Sequence, residues 1–143
     1  MRARCGADTA AMTAIETIEI RGATIAIKAA APRMTLADYT APAGFPGPPL
    51  HVHPGFDEMF YVLDGALSMR LSDEVLELGP GDCAYVDGAV PHTFANPTAA
   101  PVRFLVGCAP GGFEDYFRAL AAGDEDAIAA VNERFGVEYL PSP

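Results

Sequence analysis

Between Asp57 and Leu71 the chain alternates twice around one Asp-Gly pair. Glu58, Phe60 and Val62 share one face and Met59, Tyr61 and Leu63 the other; after Asp64-Gly65, Leu67, Met69 and Leu71 alternate with Ala66, Ser68 and Arg70. A period of two is that of a strand, and Asp-Gly between two such runs predicts a hairpin. Apolar groups on both faces of the first run mean that neither face is fully wet. The same grammar governs most of the chain: 14 glycines and 13 prolines are spread over 143 residues. That favours many short strands and tight turns over long helices.

Residues 1–14 are small, polar and aperiodic, which reads as a loose tail, with Met12 an alternative start. Strands are expected at Ile15–Ile20, Ala23–Ala29 and Arg33–Thr40. The loop APAGFPGPP (41–49) cannot pair into a ladder and should cross one end of the sheet structure. Short strands follow at Leu50–His53, Asp57–Leu63, Leu67–Leu71, Val75–Leu78, Cys83–Val86, His92–Ala95 and Val102–Cys108. After residue 110 the period changes. Phe113, Tyr116, Phe117 and Leu120 make one helical stripe closed by Gly123; Asp124 can cap a second helix carrying Ile128, Val131 and Phe135, with Gly136 beyond. These helices read as a solvated cover over one open end, and VEYLPSP as a tail packing back onto the sheets. The division is a tail at 1–14, an all-β barrel at 15–110 and a helical extension at 111–143.

Charge and cysteine content narrow the partners. Nine basic residues face nineteen acidic ones, a net charge of −10 with no basic cluster, so nucleic acid and anionic membranes are poor partners. The same deficit argues against a heavily phosphorylated substrate. No apolar run approaches the roughly 20 residues of a membrane span, and the N-terminus lacks the apolar centre of a secretory signal. Three cysteines without CxxC spacing suggest no disulfide framework; Cys83 and Cys108 read as small buried hydrophobes. A cytoplasmic protein is expected.

All three histidines fall in two stretches, GPPLHVHPGFDEMFYVLDG and GDCAYVDGAVPHTFAN. In a strand, residues two apart share a face, so His51 and His53 can aim at one point, with Glu58 nearby and His92 arriving from the second stretch. Imidazole nitrogens and a carboxylate converging there suit a divalent transition metal.

These stretches resemble the cupin family, whose motifs read G-x5-HxH-x3,4-E-x6-G and G-x5-PxG-x2-H-x3-N. HVH, four residues, Glu58, six residues and Gly65 match the core of the first; Gly81, His92 and Asn96 match the second in spacing. The first glycine has no counterpart, Asp87 and Ala89 stand where Pro and Gly are usual, and Gly88 falls one position early. The resemblance covers about residues 20–108 and implies a cupin double-stranded β-helix (a jelly-roll barrel) with two short C-terminal helices. It implies one divalent transition metal ion per chain, one of Fe, Mn, Ni, Co, Cu or Zn, held by His51, His53, Glu58 and His92. Asp57 competes with Glu58 as the acid, and the spacing to Gly65 selects Glu58. Asn96 is expected to hold a turn, and Phe45, Phe56, Phe60, Tyr85 and Phe94 to be core or pocket wall.

The C-terminal segment is also similar to that of small bacterial cupins of the quercetin 2,3-dioxygenase type. The function implied is a dioxygenase acting on a small aromatic or enolisable compound, with Glu58 as ligand and general base. A metal-dependent cyclase or isomerase of polyketide-tailoring type and a non-catalytic ligand-binding cupin are the alternatives. Cupins commonly pair through their sheets, so a homodimer is expected.

Overall fold

The computed structural model describes residues 16–141, so the tail expected at 1–14 and Ile15 lie outside the described residues. Eleven strands and two helices are described: β1 (Glu16–Ile20), β2 (Ala23–Ala31), β3 (Met34–Ala41), β4 (His51–Val52), β5 (Asp57–Asp64), β6 (Leu67–Leu71), β7 (Glu74–Leu78), β8 (Cys83–Val86), β9 (His92–Ala95), β10 (Val102–Ala109), α1 (Glu114–Ala122), α2 (Glu125–Phe135) and β11 (Glu138–Tyr139). They form a six-stranded sheet ordered β1-β2-β3-β10-β5-β8 and a five-stranded sheet ordered β11-β4-β9-β6-β7. Every strand pair is antiparallel. This is the double-stranded β-helix of the expected all-β class.

The two sheets bury their facing residues against each other. Ile25, Ile27, Phe60, Val62 and Phe104 come from the larger sheet and Leu67 and Met69 from the smaller, all fully buried. The alternation in β5 is realised as read: Glu58, Phe60 and Val62 turn inward, while Met59, Tyr61 and Leu63 stay exposed. One local signal misled. Asp64-Gly65 does not close a hairpin, because β5 pairs with β8 and β10 whereas β6 pairs with β7 and β9. The turn carries the chain from one sheet to the other. Gly65 has φ of 83°, and a Cβ there would lie 2.6 Å from the Pro101 carbonyl oxygen, so both conformation and crowding require glycine.

Other expectations shift by smaller amounts. The strand at Leu50–His53 contracts to His51–Val52, and the Pro/Gly loop does make one bridge, Phe45 to Asn96. Cys108 is buried, but Cys83 is exposed because it points outward from the edge strand β8. Tyr85, two residues on along that strand, is 66% exposed and is neither core nor pocket wall. Asn96 behaves as expected: its amide donates to the carbonyls of Pro42 and Ala100, and its oxygen accepts from the Thr98 amide and hydroxyl.

The helices form where their caps predict. Gly123 and Gly136 end them in the left-handed conformation, and the Asp124 side chain accepts from the Ala127 amide. They are more than a cover. Phe113, Phe117, Val131 and Phe135 are buried, and Tyr116, Leu120 and Ile128 face the cavity at the barrel mouth. The tail then pairs back as β11, Tyr139 opposite His51, so β11, β4 and β9 run side by side. No helix among the described residues is long and apolar enough to cross a membrane.

Candidate metal centre

The short strands β4 and β9 place His51 directly opposite His92. His53 follows where the chain leaves β4, and Glu58 points inward from β5. One ring nitrogen from each of His51, His53 and His92 lies within 4.8 Å of the others. The Glu58 carboxylate joins them, with Oε2 3.0 Å from His53 Nε2 and 3.2 Å from His92 Nε2. Asp57, the competing acid, points away. It accepts from the Tyr85 hydroxyl and the Gly88 amide and fastens the Asp87-Gly88 turn to β5.

The second nitrogen of each ring reveals the protonation pattern. Nδ1 of His51 meets the Pro49 carbonyl at 2.7 Å, that of His53 the Phe56 carbonyl at 2.9 Å, and that of His92 the Val90 carbonyl at 2.7 Å. A carbonyl can only accept, so each Nδ1 carries the proton and each neutral ring presents a lone pair at Nε2. His53 Nε2 and His92 Nε2 nevertheless stand 2.8 Å apart, with the Glu58 oxygen beside both. Lone pairs and a negative oxygen at such separations repel unless a cation lies between them. A proton can satisfy part of the cluster; a divalent ion fits the whole donor set.

The electrostatics follow from this crowding. Burial pushes the His51 imidazolium down to about 4. Burial is also the largest influence on His53 and disfavours its charged form, but the hydrogen bond and charge of Glu58 together with the Phe56 carbonyl outweigh it and raise this ring above its ordinary value. For Glu58 burial is the largest influence and favours the neutral acid; with a proton standing in for the ion at Nε2 of His53 or His92, hydrogen bonding to those rings and their charge outweigh it and hold the carboxyl at about 2. His53 is further fixed by Phe56, whose ring stacks on it with centroids 3.8 Å apart and planes 3° from parallel. Gly88 closes the other side: its carbonyl accepts from the His53 amide at 2.7 Å. A Cβ at Gly88 would sit 2.1 Å from the Phe56 oxygen and 2.2 Å from that of His53.

Above the imidazoles opens a cavity of about 310 Å³. Its walls are mostly apolar and aromatic: Phe45 and the Pro48-Pro49 loop on one side, Phe113, Phe117 and Ile128 from the helices on another. Phe60 and Val62 are fully buried and do not line it, contrary to what their shared face with Glu58 implies. Tyr116 lines it from the helical stripe, and Arg21, Tyr39 and Tyr139 line it with no sequence signal that places them there. The helical stripe through Tyr116 was visible; nothing local to Arg21 shows that the β1–β2 turn overhangs the mouth.

Fold and site together define a small two-sheeted jelly-roll barrel with three histidines gathered beneath an aromatic pocket. Residues 38–108 match the family described as Cupin domain, and the chain belongs to the cupin superfamily. It is 34% identical over 56 residues to an uncharacterized protein of Methanocaldococcus jannaschii, a match spanning 39% of this chain and 45% of that protein. The chain thus matches less than half the length of that curated relative. Among solved structures, a protein from Thermus thermophilus is 31% identical with a TM-score of 0.56, covering 60% of this chain and 81% of that one. A cupin-superfamily sugar phosphate isomerase from Silicibacter pomeroyi is 25% identical with a TM-score of 0.57, covering 63% and 60%.

Proposed function

We propose that this cupin is a metal-dependent enzyme acting on a small aromatic or enolisable compound, with dioxygenase chemistry the leading assignment. The observation that carries the reading is the convergence of three lone-pair nitrogens and a carboxylate, with no donor among them, at the floor of an aromatic pocket. His51, His53, Glu58 and His92 would hold the ion. A divalent transition metal there would supply Lewis acidity and, if redox-active, a route for electrons to dioxygen. The pocket walls would select a flat substrate and keep water away from it. Glu58, whose carboxylate borders the pocket, would take the proton of an acidic substrate hydroxyl as its oxyanion forms.

A second reading, an isomerase or cyclase, is favoured by the likeness to the sugar phosphate isomerase. The two separate under strict anaerobiosis. Protein loaded in turn with Fe, Mn, Ni, Co, Cu and Zn is assayed for oxygen uptake against flavonols, catechols and 1,3-dicarbonyl compounds. Turnover that requires dioxygen and fails with Zn supports the dioxygenase. Undiminished product without oxygen assigns the isomerase or cyclase instead.

A further inference from the structure

The pocket has two chemically different ends. At its floor are the imidazoles and Glu58. At the exposed β1–β2 turn is Arg21, the only lysine or arginine among the described residues that lines the pocket, and the phenols of Tyr39 and Tyr116 line it as well. Among the described residues Arg103, Arg118 and Arg134 each pair with a carboxylate, whereas Arg21, like Arg33 and Arg70, forms no salt bridge, and of these three Arg21 alone lines the cavity. In a chain with nineteen acidic residues and nine basic ones, a guanidinium left facing a cavity is unusual.

The backbone at Arg21 makes its position more telling. Arg21 and Gly22 are the two central residues of the β1–β2 hairpin, with φ of 51° and 85°. Such a turn favours Asn-Gly, since Asn tolerates the left-handed region through its short polar side chain. Arginine has no such local compensation, so the hairpin alone gives no reason for it. Backbone outliers of this kind collect where a side chain is needed for binding.

Tyr39 supplies the independent observation. It rises from β3, is only 5% exposed and lines the cavity, yet its hydroxyl has no hydrogen-bond partner among the described residues. Among the described residues the sealed polar side-chain atom without a partner is Asn132 Oδ1, so the Tyr39 hydroxyl opens onto the cavity with donor and acceptor capacity free. A ligand oxygen in the cavity would satisfy it. Burial pushes the Tyr39 phenol up and Arg21 opposes that rise, so the two groups are electrostatically in touch; Tyr116 shows the same pattern.

We propose that Arg21, with the Tyr39 hydroxyl, anchors a carboxylate on the substrate, so that the pocket takes an aromatic acid whose opposite, oxygen-bearing end reaches the histidines. This rests on the reading of the cavity as a substrate site. A carboxylate offers about four lone-pair sites, enough for the planar guanidinium fork and a phenol together. A phosphate dianion would call for more positive charge than one arginine provides.

The test is calorimetric binding to metal-loaded protein of 3-(4-hydroxyphenyl)propanoate and its primary amide, with phenyl phosphate as a third probe. The acid should bind at least about 10-fold tighter than the amide, as expected for a charge-assisted contact. Arg21→Asn should erase that preference while leaving amide binding and metal affinity unchanged. It should also keep the fold, since Asn suits the turn. Tyr39→Phe should narrow the preference without abolishing it. Equal binding of acid and amide to the native protein, or an acid preference surviving in Arg21→Asn, overturns the anchor but leaves the pocket reading intact. Failure of all three probes to bind overturns both. Phenyl phosphate binding tighter than the acid overturns the carboxylate class.

Discussion

Removing His92 takes one lone pair from the cluster and leaves Glu58 with His53 alone. His92→Ala should therefore weaken metal binding by more than the roughly 10–100-fold typical of losing an outer partner, while circular dichroism shows the barrel intact. Full metal occupancy in a His51→Ala/His92→Ala double variant would sink the ligand assignment. Gly88 offers a different probe of the same ring. A methyl group there collides with the carbonyls of His53 and Phe56, so Gly88→Ala should cost on the order of 2–3 kcal/mol in urea unfolding and also loosen metal binding. The clustering of His51, His53, Glu58 and His92 was legible because a strand aims residues two apart at one point and the cupin spacing marks the remaining two. Arg21 and Tyr39 were not. Arg21 sits in a local hairpin and Tyr39 on a strand next in sequence, but which end of the barrel they face is decided by the pairing of β3 with the remote β10, which leaves no mark near either residue.

At the level of elements, α2 bears on the site through a short chain of rings. Phe135 meets Phe56 edge-to-face at 5.1 Å, and Phe56 stacks on His53. Phe135→Ala should cost about 3–5 kcal/mol from the cavity it opens. Metal affinity should fall as well, because the ring that braces His53 loses its backing; unchanged affinity in a folded variant would show that the helix only covers the barrel. Between β3 and β10, Arg103 donates two hydrogen bonds to Asp38 and holds its carboxyl below the ordinary 3.8. That contribution is complete above the ordinary value and is lost as pH falls through the lowered one. Arg103 is more than half exposed, so the effect is screened by solvent and small. Asp38→Asn should flatten the acid limb of the stability profile by a correspondingly small amount. Most strands could be read because alternation is local. The crossing at Asp64-Gly65 could not, because the same dipeptide serves a hairpin or a sheet change depending on which remote strands β5 and β6 find.

For the whole molecule, the outer face of the larger sheet stands out. Met59 is 46% exposed and lies opposite Tyr85 on the neighbouring strand; Tyr61 and Leu63 extend the stripe. The stripe reaches β8, an edge strand with an open row of backbone groups. We propose that a second copy covers it by a twofold axis, matching the patch to itself. Light scattering at micromolar concentration should then give twice the 15.0 kDa of one chain, and Tyr85→Glu should shift it to the single-chain mass. A native particle of 15.0 kDa would count decisively against the pairing.

The closing strand β11 has a practical consequence. Tyr139 and Glu138 flank β4, and the Leu140 amide donates to the Leu50 carbonyl at 2.8 Å, so the two-residue strand bearing His51 is held on one side by β9 and on the other by this segment. Trimming by a carboxypeptidase as far as Gly136 would spare nearly all of the buried core yet strip His51 of one of its two neighbours. Preparations that look homogeneous on a gel could then differ in activity according to a handful of residues. Intact-mass measurement belongs ahead of any metal titration of this protein.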